Sequence, residues 1–264
     1  GHKGAKEGLS MYDLSGRICL ITGCSAGLGA HFARVLAQAG AKVVAGARRK
    51  ERIEALADEI RAAGGHAIAV SLDVTDEASV ARAFDEAEKA FGLVDTIIAN
   101  AGISSPGRAT EVKVEAVQGV LDTNVLGVFL TAREGARRII AAGGKDHGQG
   151  RIVLIGSIAA DVTALGEAMY SASKAAVAHM GRNLAREWVR QGVNVNVIQP
   201  GYILTEMAKD WFETEKGKQQ IAGFQRRRLQ PIESLSDPIL YLCSDAAAST
   251  TGAVFTIDDG QSLL

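Results

Sequence analysis

Ile18-Cys19-Leu20-Ile21-Thr22-Gly23-Cys24-Ser25-Ala26-Gly27-Leu28-Gly29 is the stretch whose reading decides the fold. Its first four residues form a short, wholly apolar run, the pattern of a strand covered on both faces. Glycines then follow at the spacing Gly-x-x-x-Gly-x-Gly, and an alanine-rich amphipathic segment begins at about residue 28. A glycine loop between strand and helix turns tightly, and its backbone can approach a pyrophosphate whose charge rests on the helix N-terminus. The competing reading is a plain strand-to-helix turn; the strand–loop–helix context favours dinucleotide binding. Gly23, Ser25, Ala26, Gly27, Leu28 and Gly29 are the expected cradle.

Outward from this loop, short apolar runs alternate with longer helical patterns. The strand candidates are 18–21, 42–45, 67–70, 96–99, 152–155, 193–198 and 254–257, and the helical patterns lie at about 28–40, 49–63, 77–91, 112–141, 168–191 and 233–244. Strict alternation with right-handed crossovers predicts an α/β fold: a doubly wound Rossmann-type domain, a parallel sheet with helices on both faces. Asp76 ahead of Ala78, Val80 and Phe84 reads as a capped helix start. Residues 11–264 are expected to form one domain, and the Gly/Lys-rich residues 1–10 a flexible leader or expression remnant. One segment, about 202–232, escapes the alternation and carries Trp211, Phe212, Ile221 and Phe224 among charges. It follows a strand end, where such folds bind ligands, so a mobile lid is expected; the competing reading is a surface helix pair.

Composition narrows the function. The chain has 264 residues, 47% of them hydrophobic, and a formal net charge of -1, so no global field favours nucleic acid or an anionic membrane. No apolar stretch approaches the roughly 20 residues needed to span a bilayer. The scattered thiols Cys19, Cys24 and Cys243 and the dispersed histidines show no metal-ligand spacing and suit a reduced, cytoplasmic protein. Cys19 reads as buried, and Cys24, inside the glycine loop, as either reactive or packed. Arg226-Arg227-Arg228 is a local basic run, a solvated face or a contact for an acidic group.

Three further strand ends fall at the same edge as the glycine loop. After the second strand stands Gly46-Ala47-Arg48-Arg49, where an acidic residue would otherwise take a ribose 2′-hydroxyl. Two guanidinium groups and no carboxylate match a 2′-phosphate, so NADP(H) is expected over NAD(H), unless Arg48 and Arg49 merely start the next helix. Asp73 and Val74 end the third strand, where Asp73 can accept a hydrogen bond from an adenine amine. Asn100, Ala101 and Gly102 end the fourth, small enough at 101–102 for a cofactor to lie close; local turn chemistry is the alternative for both.

Tyr170-Ser171-Ala172-Ser173-Lys174 follows Ser157 by thirteen residues. On a helix, positions four apart share a face. A free tyrosine ionises at a pH of roughly 10, and an ammonium beside it favours the phenolate, turning the phenol into a usable acid or base. Taken together the glycine loop, Asn100-Ala101-Gly102, Ser157, Tyr170-x-x-x-Lys174 and Pro200-Gly201 with Thr205 resemble the short-chain dehydrogenase/reductase family, over about residues 14–262. Ala99-Asn100 and Gly156-Ser157 are minor departures from that pattern, which more often has Asn-Asn and Ser-Ser.

The resemblance implies a seven-stranded doubly wound sheet and a homotetramer or dimer built on long helices. It implies that Tyr170 is the acid/base and that Ser157 binds and orients the reacting oxygen. Lys174 would lower the Tyr170 pKa and, with Tyr170, hold the nicotinamide ribose. Asn124 would anchor a proton-relay water, and Pro200, Gly201, Ile203 and Thr205 would hold the carboxamide and nearby phosphate. No metal is implied. The expected activity is an oxidoreductase moving a hydride between NADP(H) and a ketone or secondary alcohol, its substrate mostly apolar if Tyr202, Met207, Trp211, Phe212 and Phe224 face it. The alternatives are a 3-oxoacyl-thioester reductase, whose carrier or coenzyme A would meet Arg226 to Arg228, and a catalytically silent nucleotide-sensing module.

Overall fold

The structure, a computed structural model, describes residues 11–206 and 208–263; the leader expected at residues 1–10, and Met207, lie outside the described residues. The apolar runs become β1 (Ile18–Ile21), β2 (Lys42–Ala47), β3 (His66–Ser71), β4 (Thr96–Ala99), β5 (Gly150–Ile155), β6 (Val193–Pro200) and β7 (Val254–Ile257). All pair in parallel, in the order β3-β2-β1-β4-β5-β6-β7. The chain builds outward from β1 to β3, then returns to pair β4 against β1. That reversal opens a crevice at the carboxyl ends of β1 and β4, where this architecture binds ligands.

Alternate residues of each strand feed two apolar cores. Cys19, Ile21, Val43 and Ala45 pack with α1 (Gly27–Gln38), α2 (Lys50–Ala62) and α10 (Ser236–Cys243). Leu20, Val44, Ile97 and Leu154 pack with α3 (Glu77–Phe91), α5 (Val128–Ala141) and α7 (Ala168–Trp188). The Asp76 carboxylate accepts the Ala78 N–H at 3.0 Å and caps α3 as its sequence suggests.

The helix expected over 112–141 is not continuous. It starts as α4 (Val114–Leu121), widens into a π-helical turn over Asp122–Gly127, and resumes as α5. Periodicity cannot show this, because the turn is imposed from outside: the buried Asn124 side chain both accepts from Ile103 N–H and donates to Ile103 O, each at 2.8 Å. π turns of this kind concentrate at functional sites. The helical pattern over 168–191 likewise ends early, its last turn tightening to 3₁₀ over Val189–Gln191 before Gly192 at φ +80°.

After β5, a short helix α6 (Gly144–His147) having preceded that strand, the remaining departures lie after β6. The irregular segment folds into α8 (Lys209–Glu213) and α9 (Glu215–Gly223). Its two ends are tied at the base, where Gln230 N–H donates to Tyr202 O and Gln230 Oε1 accepts Gly201 N–H, both at 2.9 Å.

Candidate active site

Gly23 and Gly27 take φ of +69° and +59°, which ordinary side chains rarely adopt. Gly29 is there for closeness: a Cβ on it would stand 2.2 Å from Gly23 O and 2.8 Å from Asn100 Nδ2. A Cβ on Gly27, by contrast, would meet only the Thr205 side chain, at an ordinary contact distance of 3.6 Å, so Thr205 borders the loop. Ala26 gives α1 no side-chain cap and its first turn holds no acid, which leaves the helix amides to an anion. This arrangement fits a pyrophosphate.

Neighbouring strand ends brace the cradle. Thr22 Oγ1 accepts the Asn100 and Ala101 N–H groups, both at 2.9 Å, while Asn100 Nδ2 donates to Thr22 O and Gly23 O. Asn100 thus shapes the loop with its side chain. Cys24 is buried and its thiol is pushed up to about 12 by burial, so of its two readings the packed one holds. Burial pushes the Cys19 thiol well up and the Cys243 thiol up to about 12 in the same way.

At the adenosine end Arg48 Nε lies 3.8 Å from Asp73 Oδ1, and both side chains are substantially exposed. Asp73 Oδ1 also accepts the Thr75 N–H and hydroxyl, at 3.0 and 2.7 Å. Burial raises the Asp73 carboxyl, but these bonds and the Arg48 charge outweigh it and hold the group below the usual carboxylate range. Arg49 is exposed and stands immediately before α2, and Val74 is buried against the π turn, where a Cβ on Gly127 would come within 2.5 Å of it. On the far side, Pro200 ends β6, Gly201 is tied to Gln230, Ile203 is 7% exposed, and Thr205 borders the glycine loop beside Gly27.

Ser157, Tyr170, Lys174 and Asn124 converge at the carboxyl end of β5. Ser157 Oγ accepts the Ala159 N–H at 3.0 Å, so its own proton is left to donate, and it hydrogen-bonds Tyr170. Lys174 Nζ donates to Ile155 O at 3.2 Å and stands 5.6 Å from the centre of the Tyr170 ring. A Cβ on Gly102 would lie 3.4 Å from both Lys174 Nζ and Asn124 Oδ1, which brings the end of β4 to the same point. Asn124 reaches α7 through Ser173: its Nδ2 donates to Ser173 Oγ at 3.1 Å, and that hydroxyl donates to Tyr170 O at 2.6 Å. Ser173 is missed by motif reading, although its place directly before Lys174 was the available signal.

In the chain alone the Tyr170 phenol stands above its ordinary value. Burial pushes the phenol up, the Ser157 hydrogen bond opposes this, and the Glu167 and Tyr202 charges add to it. Lys174, fully enclosed, is itself pulled down to about 8 by burial. Glu167 was not foreseen as a site residue. It stands three residues before Tyr170, its carboxyl is raised by burial, and its Oε2 is buried with no hydrogen-bond partner.

The segment above the site is held by aromatics. Tyr202 stacks on Phe224 at 5.5 Å and meets the buried Phe212 edge-on at 6.3 Å, whereas Trp211 is exposed. Of the basic run, Arg226 and Arg228 pair with Asp259 at 3.3 and 2.7 Å, and Arg227 occupies a left-handed turn at φ +51°. Among the described residues no cluster of His, Cys, Asp or Glu could hold a metal ion, and no helix is long and apolar enough to cross a membrane.

Comparison with known proteins agrees with this geometry. The short chain dehydrogenase family profile matches residues 17–216. A cis-4-hydroxycyclohexanecarboxylate dehydrogenase from Sinomonas cyclohexanicum is 36% identical over 92% of this chain and 96% of its own. The 3-oxoacyl-[acyl-carrier-protein] reductase of Escherichia coli is 31% identical over 94% of this chain and 98% of its own. Among solved structures, a gluconate 5-dehydrogenase from Burkholderia cenocepacia in complex with NADP and tartrate superposes with a TM-score of 0.90 at 30% identity, covering 97% of this chain and 99% of that one.

Proposed function

The chain belongs to the short-chain dehydrogenase/reductase family of oxidoreductases acting on CH–OH groups, and from that premise we propose that it interconverts a ketone and a secondary alcohol with NADP(H). The observation that carries the reading is the convergence of Ser157, Tyr170 and Lys174 beside a glycine cradle that fits a pyrophosphate.

The cofactor supplies or takes up the hydride. Backbone from Gly23 to Gly29, with Thr205, holds its pyrophosphate. Arg48 takes the 2′-phosphate, with Arg49 alongside, and Asp73 and Val74 the adenine. Ala101, Gly102, Pro200, Gly201 and Ile203 let the nicotinamide end lie close. Lys174, with one donor on Ile155 O, holds the ribose hydroxyls with Tyr170. In ketone reduction the Ser157 hydroxyl donates to the carbonyl oxygen as charge builds there, and Tyr170 gives it a proton; in oxidation Tyr170 takes that proton back. Asn124 anchors the relay water that reloads Lys174.

Residues 202–232 close over the substrate as a lid pivoting at the Gln230 ties. The aromatic cluster on Tyr202 supports a mostly apolar, medium-sized substrate, and the ring alcohol in the Sinomonas relative's name agrees with that size. A carrier-bound thioester finds less support, because two arginines of the basic run are already paired with Asp259. The groove on α5 and α7 where Phe129, Ile140, Leu184 and Trp188 lie beside Arg133, Arg137 and Glu187 supports self-association as a tetramer or dimer. The buried free thiols fit a cytoplasmic location.

Fluorescence titration with NADPH and with NADH tests the cofactor assignment. NADPH should bind at least about tenfold tighter, a preference that Arg48→Ala removes, in line with the loss of a charge-assisted phosphate contact. Tighter NADH binding would overturn the assignment, and binding of neither would overturn the enzyme reading.

A further inference from the structure

The turn that follows β7 grips both ends of the segment above the site. It is stiffened from within: the buried Asp258 accepts the Gly260 N–H at 3.1 Å on one carboxylate oxygen and the Ser262 N–H at 2.7 Å on the other. From this turn Gln261, itself buried, reaches the first end of the segment. Its Oε1 accepts the Tyr202 N–H at 2.6 Å and its Nε2 donates to Tyr202 O at 3.1 Å, so one side chain occupies both backbone groups of that residue. The approach is close, since a Cβ on Gly201 would stand 2.5 Å from Gln261 Oε1. At the second end Gln230 Nε2 donates to Ile257 O at 2.7 Å, and Gln225 Nε2 donates to Leu263 O at 3.0 Å. Between these two, Arg228 forks onto the Asp259 carboxylate at 2.7 and 3.1 Å, and Arg226 joins it at 3.3 Å.

Two further observations set this contact apart. Arg227 and Asp259, at φ +51° and +58°, are the two non-glycine residues with positive φ among the described residues, and they stand on its opposite sides. Such backbone is costly and persists where the surroundings hold it. Among the described residues, moreover, α8 and α9 make hydrogen bonds and ion pairs only within 202–232, so the polar anchoring of the segment falls to its two ends.

We infer that the turn Asp258–Leu263 is the clasp of the substrate lid, with Gln261 and Asp259 as positioning residues. Gln261 fixes Tyr202, and with it the rings of Phe212 and Phe224, while Asp259 fastens the far end through Arg226 and Arg228. The inference rests on the proposed role of 202–232 as a lid. It adds that substrate affinity depends on a turn that need not touch the substrate, and that salt loosens the lid, because both guanidinium groups are exposed to screening.

The test follows amide hydrogen exchange over residues 209–223 in the full chain of the wild type, Gln261→Ala and Asp259→Asn. Asparagine tolerates left-handed backbone as aspartate does, so Asp259→Asn removes the charge alone. Exchange over 209–223 should quicken on the order of tenfold in Gln261→Ala, which leaves the Tyr202 N–H without its acceptor, and roughly threefold in Asp259→Asn. Exchange in β1, β4 and β5 should hold. Raising salt from about 0.05 to about 1 M should quicken lid exchange in the wild type and leave Asp259→Asn unmoved. With cyclohexanone as the substrate, both variants should raise KM while NADPH affinity stays at the wild-type value. Unchanged lid exchange in both variants, or an equal rise in the sheet, overturns the clasp whatever the activity. A loosened lid with unchanged KM overturns the positioning role and leaves the ketone reading standing. A wild type inert towards cyclohexanone counts against that reading, while the exchange data still decide the clasp.

Discussion

At the amino ends of the strands, the buried polar side chains find hydrogen-bond partners within the fold. Arg17, 5% exposed, donates to Gln149 O and Oε1, Thr96 Oγ1 and Asp245, at 2.8 to 3.3 Å. Arg151, 1% exposed, donates to Ser244 O, Gly148 O and Gly150 O, and Asn194 Nδ2 to Ala247 O and Ala248 O. Around the carboxyl ends the same sheet leaves Glu167 Oε2, Ser171 Oγ and Gln199 Oε1 buried and unpartnered. It also encloses a lysine whose charge is disfavoured there. One end has its polar groups paired within the fold; the other holds polar groups in a form that a ligand can complete. The division follows from a parallel sheet, which points every strand terminus, and so every catalytic loop, to one side.

Substitutions at the two ends should therefore act in opposite senses. Arg17→Ala should cost about 1–3 kcal/mol of stability, the usual size for leaving the buried acceptors of a charged donor without it. Urea unfolding would register it as a lowered midpoint, with cofactor affinity of the folded fraction unchanged. Loss of less than about 1 kcal/mol would mean that the amino end is not the stabilising one.

Lys174→Met should go the other way. A lysine lowered from 10.5 to about 8 disfavours the folded state by roughly 3 kcal/mol wherever it must be charged. The sign follows from proton binding. Between the folded and unfolded values the unfolded chain binds the extra proton, so the penalty is complete below pH 8, shrinks as pH rises from 8, and is gone above 10.5. Lys174→Met should thus melt a few degrees higher than wild type at pH 7, with turnover abolished, and the gap in Tm should close as pH rises through that window. A Met variant that melts lower at pH 7 would contradict the division.

Most of the frame was legible before any coordinates. All seven strands lie where short, mostly apolar runs of four to six residues predict them, because a strand covered on both faces is largely apolar. β6 departs from this with Asn194 and Asn196, which are buried but hydrogen-bonded to Ala247 O, Ala248 O and Thr250 O. The glycine loop is legible for a similar reason, since a Cβ at Gly29 has nowhere to go. The π turn at Asp122–Gly127 was not, because it depends on Asn124 gripping a backbone twenty-one residues away. Glu167 was hidden too. A lone glutamate has no spacing to betray it, and only packing shows that its oxygen lacks a partner. The burial that acts on Tyr170 and Lys174 was hidden as well, because the i, i+4 relation gives their proximity and nothing of their surroundings.

The central claim is that Tyr170 moves the proton at a site already built to hold the cofactor. Its most direct test is the turnover of Tyr170→Phe on a ketone that the wild type reduces, with NADPH affinity and melting temperature measured on the same preparations. Removing only the hydroxyl should lower kcat on the order of 10²- to 10⁴-fold, the span of general acid catalysis, while affinity for NADPH stays within about threefold of wild type. Turnover within a few-fold of wild type would contradict the account.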